Sequence, residues 1–176
     1  VPPEPLRKIF SNSRIIGRRF RLLHVFYPGE IIELSTFRAN VQDEAATEAN
    51  ALPTMMAADN TYGTIEEDAW RRDFTVNALY YNIKDFSIID FTGGMQDLKD
   101  RVIRMIGDPV QRYHEDPVRL LRAIRLAAKL GFNIHADTQA PLKSLSVLLQ
   151  HVPQSRLFDE LLKLFKEKYP TFSAHK

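Results

Sequence analysis

Between His114 and Arg125 the sequence reads His-Glu-Asp-Pro-Val-Arg-Leu-Leu-Arg-Ala-Ile-Arg, with carboxylates giving way to guanidiniums at helical spacing. Asp116 has an N-cap side chain and Pro117 suits a first helical position, so a helix is predicted to begin where the charges begin. At about 100° per residue, Arg119 falls within about 60° of Asp116 around the axis, and Leu121, Ile124 and Ala128 form the expected buried stripe. A carboxylate only accepts hydrogen bonds and a guanidinium only donates them. Together they could match a base edge that places an amino donor beside a ring-nitrogen acceptor. Adenine and cytosine have that order, and uracil and guanine reverse it. A wrong base would then bury unsatisfied groups at about 1–3 kcal/mol each. The same residues also fit a capped helix with a surface ion pair worth about 0.2–0.5 kcal/mol, and spacing alone does not choose.

A second cluster lies in Arg71-Arg72-Asp73-Phe74-Thr75-Val76-Asn77-Ala78. Asp73 and Asn77 stand four apart and share a face if the segment is helical, with Phe74, Ala78 and Tyr81 on the packed side. A guanidinium, a carboxylate and an amide suit a ribose with its phosphates, because a ribose hydroxyl both donates and accepts. Glu33 is a third candidate. It is the one carboxylate within the bulky run Ile31-Ile32-Glu33-Leu34-Ser35-Thr36-Phe37, which otherwise reads as a strand. Its plainer reading is a glutamate facing solvent at a sheet edge.

These residues need elements to hold them. Leu22–Tyr27 and Ile31–Phe37 are β-rich runs joined by Pro28-Gly29-Glu30, which predicts a hairpin. A short helix is expected from Pro5 to Phe10. Thr64-Ile65-Glu66-Glu67 has capping-box spacing, which predicts a helix from about Ile65 to Tyr81. The stretch between Arg38 and Gly63 is polar and aperiodic and reads as a long mobile loop. Phe86–Phe91 and Arg101–Ile106 read as extended. From Asp108 onward no strand signal appears, and helices are expected over Asp116–Leu130, Ala136–Gln150 and Ser155–Lys168, with Gly131 and Pro153 as stops. The expected fold class is α+β: a mixed or antiparallel small sheet with helices over 1–107, then an all-helical part over 108–176.

The chain has 176 residues and 44% hydrophobic content, enough to build a core. It has no cysteine and no histidine pair at ligand spacing, which removes disulfides and thiolate or structural zinc sites from consideration. No long apolar run suggests a membrane span, and a cytoplasmic setting is expected. The net charge of +2 is uninformative, but its distribution is not. Arg14, Arg18, Arg19 and Arg21 form one basic group, and Arg112, Arg119, Arg122, Arg125 and Lys129 form another. Two separated basic groups suit a triphosphate and an RNA backbone, or else solvated helix faces.

Glu115-Asp116-Pro117-Val118-Arg119-Leu120-Leu121-Arg122 matches an E-D-x-x-R-x-x-R motif, and Arg71–Ala78 matches R-R-D-F-T-x-N-A. Asp90-Phe91-Thr92-Gly93-Gly94 with Asp97-Leu98 is similar to a D-x-x-G-G-x-x-D-L element. In this order the motifs resemble those of the class II nucleotidyltransferases, the family of bacterial poly(A) polymerases and CCA-adding enzymes. The resemblance is densest over residues 71–125 and extends more loosely upstream to about Pro5. Ile15-Ile16-Gly17-Arg18-Arg19-Phe20-Arg21-Leu22-Leu23-His24-Val25 further resembles the I-G-R-R-F-x-L-x-H-V signature of the poly(A) branch.

The resemblance implies a nucleotidyltransferase head followed by a helical neck that binds base and RNA. It implies addition of AMP from ATP to RNA 3′ ends, with CCA addition to tRNA or a non-catalytic RNA-binding remnant as alternatives. Asp73 and Glu33 would be catalytic, and Arg72, Asn77, Asp116, Arg119 and Arg122 would bind the nucleotide. Arg18 and Arg19 would contact RNA or phosphate. Mg²⁺ would be held in a two-metal site by Glu33 with an upstream D-x-D pair. No D-x-D occurs in the chain, which opens on Val1 and is read as a fragment from which turnover is not expected.

Overall fold

The computed structural model describes residues 3–17, 21–39 and 62–166. The chain forms two compact units, Val1–Arg71 and Arg72–Lys176. The elements are mixed α and β with small sheets, in keeping with the expected class.

In the first unit, helix α1 (Pro3–Ile9) precedes a three-stranded antiparallel sheet of β1 (Ser13–Ile16), β2 (Leu22–Tyr27) and β3 (Glu30–Leu34), ordered β1-β2-β3. The hairpin is as expected. Gly29 sits at φ +81 in its turn, where a residue without Cβ is unstrained. The period-2 pattern buries Leu23 and Val25. Most of the expected loop from Arg38 to Gly63 lies outside the described residues. Its ends meet: Arg38 pairs with Tyr62, and Gly63 N donates to Phe37 O at 3.0 Å. A Cβ on Gly63 would lie 2.6 Å from Ala39 N, so only glycine permits that approach. Helix α2 (Ile65–Trp70) begins with the expected capping box: Glu67 N donates to Thr64 Oγ1 at 3.2 Å, and Thr64 N to Glu67 Oε2 at 2.6 Å.

Helix α2 does not continue to Tyr81. It stops at Trp70, and a 3-10 turn (Thr75–Asn77) then leads into β4 (Leu79–Asn82), paired antiparallel with β5 (Ser87–Asp90). Partners distant in sequence override the local helix signal. Phe74 is extended and bridges Met105, Thr75 N donates to Arg104 O, and Ile106 N donates to Asp73 O. Phe74 and Ala78 are fully buried as expected, but Tyr81 faces out on the strand.

The Asp90-x-x-Gly93-Gly94-x-x-Asp97 element locks this turn. Asp90 accepts from the backbone N–H groups of Thr92, Gly93, Gly94 and Met95 at 2.9–3.1 Å as α3 (Gly94–Asp100) starts. Burial alone would raise the Asp90 carboxyl, but these four donors hold it below its ordinary value. A Cβ on Gly94 would meet Thr75 O at 2.2 Å, so glycine lets the two segments touch. Thr75 Oγ1 then donates to buried Asp97 at 2.7 Å, which also pairs with Arg104 at 3.0 Å.

The remaining elements are β6 (Val102–Ile103), α4 (Pro109–Glu115), α5 (Val118–Leu130), β7 (Asn133–Ile134), α6 (Ala136–Gln139), a 3-10 stretch (Ser144–His151) and α7 (Gln154–Lys166). The part beyond Asp108 is therefore not purely helical. β7 pairs in parallel with β6, Ile103 opposite Ile134, so Gly107 falls inside the second unit. The expected helix over Ala136–Gln150 divides at buried Pro141.

Helix α5 packs Leu120, Ala123 and Leu126 against Phe74, Ile103, Met105 and Tyr113. The stripe predicted at Leu121, Ile124 and Ala128 is displaced: Leu121 and Ala128 are half-buried, and Ile124 is exposed. Apolar residues lie on two sides of this helix, which also packs against α7, so periodicity alone could not select the core face.

Candidate functional site

Asp73 sits in the turn between Arg72 and Phe74, with its side chain 10% exposed. Its Oδ1 accepts from Phe74 N at 2.9 Å and from Asn77 Nδ2 at 3.1 Å. Asp73 and Asn77 thus meet as the spacing suggested, but across a turn rather than along an α-helix. Oδ2 receives Arg122 Nε from α5 at 2.6 Å. That guanidinium also lies 3.7 Å from Glu160 on α7, and Glu160 pairs with Arg125 at 2.8 Å and Lys163 at 2.9 Å. Burial alone would raise the Glu160 carboxyl, but hydrogen bonds from Lys163 and Arg125 hold it below its ordinary value.

Around the same turn, Arg72 donates through Nη1 to Asn77 O at 3.0 Å and through Nε to the Tyr80 hydroxyl at 3.1 Å. Arg112 on α4 reaches back to Arg72 O at 2.5 Å and pairs with Glu115 at 2.9 Å. Burial, and next the neighbouring Arg119 charge, pull Arg112 below the usual arginine value. The turn and α5 therefore gather Arg72, Asp73, Asn77 and Arg122, with Arg112 linking Arg72 to the Arg119 end of the helix. Arg112 counted in the sequence only as one of a basic group, and Glu160 was not singled out. Their partners lie 40 and 35 residues away, beyond the reach of spacing.

Asp116 and Arg119 share the start of α5 but are partnered separately. Asp116 Oδ1 accepts from Val118 N at 3.3 Å, while Oδ2 holds Arg156 of α7 at 2.8 Å. Arg119 pairs with Glu115 at 2.9 Å and donates to Arg112 O at 2.7 Å. The N-cap position of α5 is taken by Pro117, one residue later than expected.

In the first unit, Glu33 on β3 faces His24 on β2, with His24 Nε2 and Glu33 Oε2 3.1 Å apart. The Glu33 side chain is 57% exposed. Arg18 and Arg19 lie outside the described residues. Among the described residues no group of three or more His, Asp or Glu stands where it could hold a metal. Magnesium takes six oxygens in octahedral geometry, and Glu33 offers one carboxylate, already shared with His24. These residues do not by themselves fit a magnesium site.

A basic helix start set against a turn bearing arginine, aspartate and asparagine is an arrangement suited to phosphorylated, base-bearing ligands. Comparison with known proteins agrees with that class. Residues 1–104 match the family model described as Poly A polymerase head domain, and residues 131–174 match one described as probable RNA and SrmB-binding site of polymerase A. The chain belongs to the poly A polymerase head-domain family. It is 53% identical over 171 residues to poly(A) polymerase I of Escherichia coli O157:H7, covering 95% of this chain and 37% of that protein. It is 34% identical over 162 residues to the CCA-adding enzyme of Lactobacillus helveticus, covering 92% of this chain and 39% of that one. In structure it is similar to the Bacillus stearothermophilus CCA-adding enzyme in complex with CTP. That match has a TM-score of 0.77 and 29% identity, over 93% of this chain and 37% of that one. The chain thus spans well under half the length of these relatives.

Proposed function

We propose that the protein containing this chain is a template-independent polynucleotide adenylyltransferase that adds AMP from ATP to RNA 3′ ends. The observation that carries this reading is the turn at Arg72–Asn77 held against Arg122 of α5, in a chain with 53% identity to a poly(A) polymerase I and 34% to a CCA-adding enzyme. In this reading Asp73 and Asn77 hold the ribose, Arg72 and Arg122 lie toward the phosphates, and Arg119 with Asp116 reads the base edge. Arg18 and Arg19 would meet the RNA, the protein partner set is open, and the setting is cytoplasmic. Glu33 is the carboxylate this chain would contribute beside magnesium. A single carboxylate supports no further step through the metal.

The partners of Asp116 and Arg119 add a condition. Glu115 engages Arg119 Nη1 and Arg156 engages Asp116 Oδ2, so a base edge meets the remaining N–H groups and lone pairs of this pair or competes with two ion pairs already formed. A base with both matching groups offsets that competition better than one with a single match. The test measures incorporation of all four nucleotides onto a short RNA primer by the full-length protein. ATP should be used far better than UTP or GTP, and Arg119→Ala should blunt that discrimination by about tenfold or more. Equal loss for all four nucleotides, with the ATP preference intact, would make Arg119 a structural or phosphate-binding residue instead. Efficient CTP incorporation in a fixed C-C-A order would move the reading to CCA addition.

A further inference from the structure

Tyr80 lies on β4 with its ring under the Arg72 guanidinium. The guanidinium carbon is 5.1 Å from the ring centroid, and Arg72 Nε donates to the tyrosine hydroxyl at 3.1 Å. Arg72 Nη1 donates to Asn77 O at 3.0 Å, so three contacts fix the plane of one exposed guanidinium. An exposed arginine otherwise samples many rotamers, and ordering it when a ligand arrives weakens binding. Here the ordering is done in advance by a neighbour on the next strand. Tyr80 is itself set by the antiparallel pairing of β4 with β5, where it stands opposite Ile89. The Arg72 carbonyl is held separately by Arg112 at 2.5 Å, so backbone and side chain of this residue are both fixed.

We propose that Tyr80 is a positioning residue that holds Arg72 in the orientation in which it meets the nucleotide's phosphates. This rests on the reading of the Arg72–Asn77 turn as a nucleotide site. The ring acts through cation–π attraction and the hydroxyl as an acceptor for Nε–H, so the two parts of the side chain are separable by substitution. Neither part touches the nucleotide.

The test compares KM for ATP and kcat in the full-length protein for Arg72→Ala, Tyr80→Leu, Tyr80→Phe and the double variant Arg72→Ala/Tyr80→Leu. Tyr80→Leu should raise KM for ATP by about tenfold while kcat changes by less than about threefold. Tyr80→Phe keeps the ring and should raise KM by about two- to threefold. The double variant should match Arg72→Ala within about twofold, because Tyr80 has nothing left to position. Multiplying effects in the double variant, or an unchanged KM in Tyr80→Leu, would overturn the proposal while leaving the nucleotide site in place. An unchanged KM in Arg72→Ala would overturn the site reading and the proposal together. If Tyr80→Leu unfolds, Tyr80→Phe decides: it preserves packing, and a KM equal to that of the unaltered protein counts against the proposal.

Discussion

Two carboxylates stand out in the sequence as candidates for chemistry, and the molecule treats them differently. Asp73 is nearly buried, with a backbone amide and an asparagine on one oxygen and an arginine on the other. The arginine is in turn near a glutamate anchored by Arg125 and Lys163. Glu33 is more than half exposed on a strand of the other unit, and His24 Nε2 lies 3.1 Å from its Oε2. A side chain fixed by several neighbours of its own unit has its geometry built in before any ligand arrives. A largely exposed side chain held by one half-buried partner does not. On the proposed function, the Arg72–Asn77 turn would be the pre-formed part of a nucleotide site, whereas Glu33 carries no comparable set of partners among the described residues.

The largest effect should come from the buried carboxylate. Asp73→Asn keeps an acceptor for Phe74 N and Asn77 but removes the charge facing Arg122. Incorporation of every nucleotide should fall together, by about a hundredfold or more, because sugar and phosphate placement do not depend on the base. Single-turnover rates with each of the four nucleotides check this. A change in the ratio between nucleotides, rather than a common loss, would place Asp73 at the base and erase the contrast with Arg119.

Next comes the anchor. Glu160 is 5% exposed and holds Arg125, itself 8% exposed. Glu160→Ala removes the carboxylate facing Arg122, Arg125 and Lys163 and should cost about 3 kcal/mol or more of stability, read from urea unfolding. The pH dependence has a definite sign. The folded Glu160 carboxyl lies below its ordinary value of 4.5. Its stabilisation is therefore complete above that value and is lost as pH falls through the lower, folded one. The variant should lack that part of the acid-side loss. Stability within about 0.5 kcal/mol of the unaltered protein would mean that the network is no anchor.

What the sequence made legible follows the same division between local and distant partners. The β2–β3 hairpin, the capping box at Thr64 and the body of α5 depend on neighbours a few residues away, and all are where the sequence predicted them. The helix expected through Tyr81 failed because Phe74 pairs with Met105 and Thr75 with Arg104, contacts no window around residue 74 contains. The residue types at Arg72, Asp73 and Asn77 were readable, and so was their meeting. Arg122 was named through a motif as a nucleotide-binding residue, but its pairing with Asp73, 49 residues away, was not readable from the sequence. Glu160, Arg112 and Tyr80 were not legible, since a glutamate, an arginine or a tyrosine carries no local mark of the distant group it will hold.

The smallest effect on stability should come from the exposed pair, and it separates position from function most cleanly. His24 and Glu33 face each other across β2 and β3, 3.1 Å apart, with Glu33 largely in solvent. Exposed pairs of this kind contribute little, because solvent screens the attraction and ordering the side chains offsets much of it. Glu33→Gln keeps the side-chain shape and an acceptor for His24, so unfolding free energy should change by no more than about 0.5 kcal/mol. Its effect on AMP incorporation is a different matter. If Glu33 is the carboxylate this chain contributes beside magnesium, activity should fall by about tenfold or more although the fold is untouched, and the loss should be largest at low magnesium. Asp73→Asn should show no such relief on adding magnesium, because Asp73 is held by an arginine, an asparagine and a backbone amide. Measuring both variants across a magnesium titration, with urea unfolding in parallel, therefore tests the contrast itself. A Glu33→Gln protein with full activity at every magnesium concentration would reduce Glu33 to a solvent-facing glutamate on a hairpin and leave the second unit as the sole carrier of the site among the described residues.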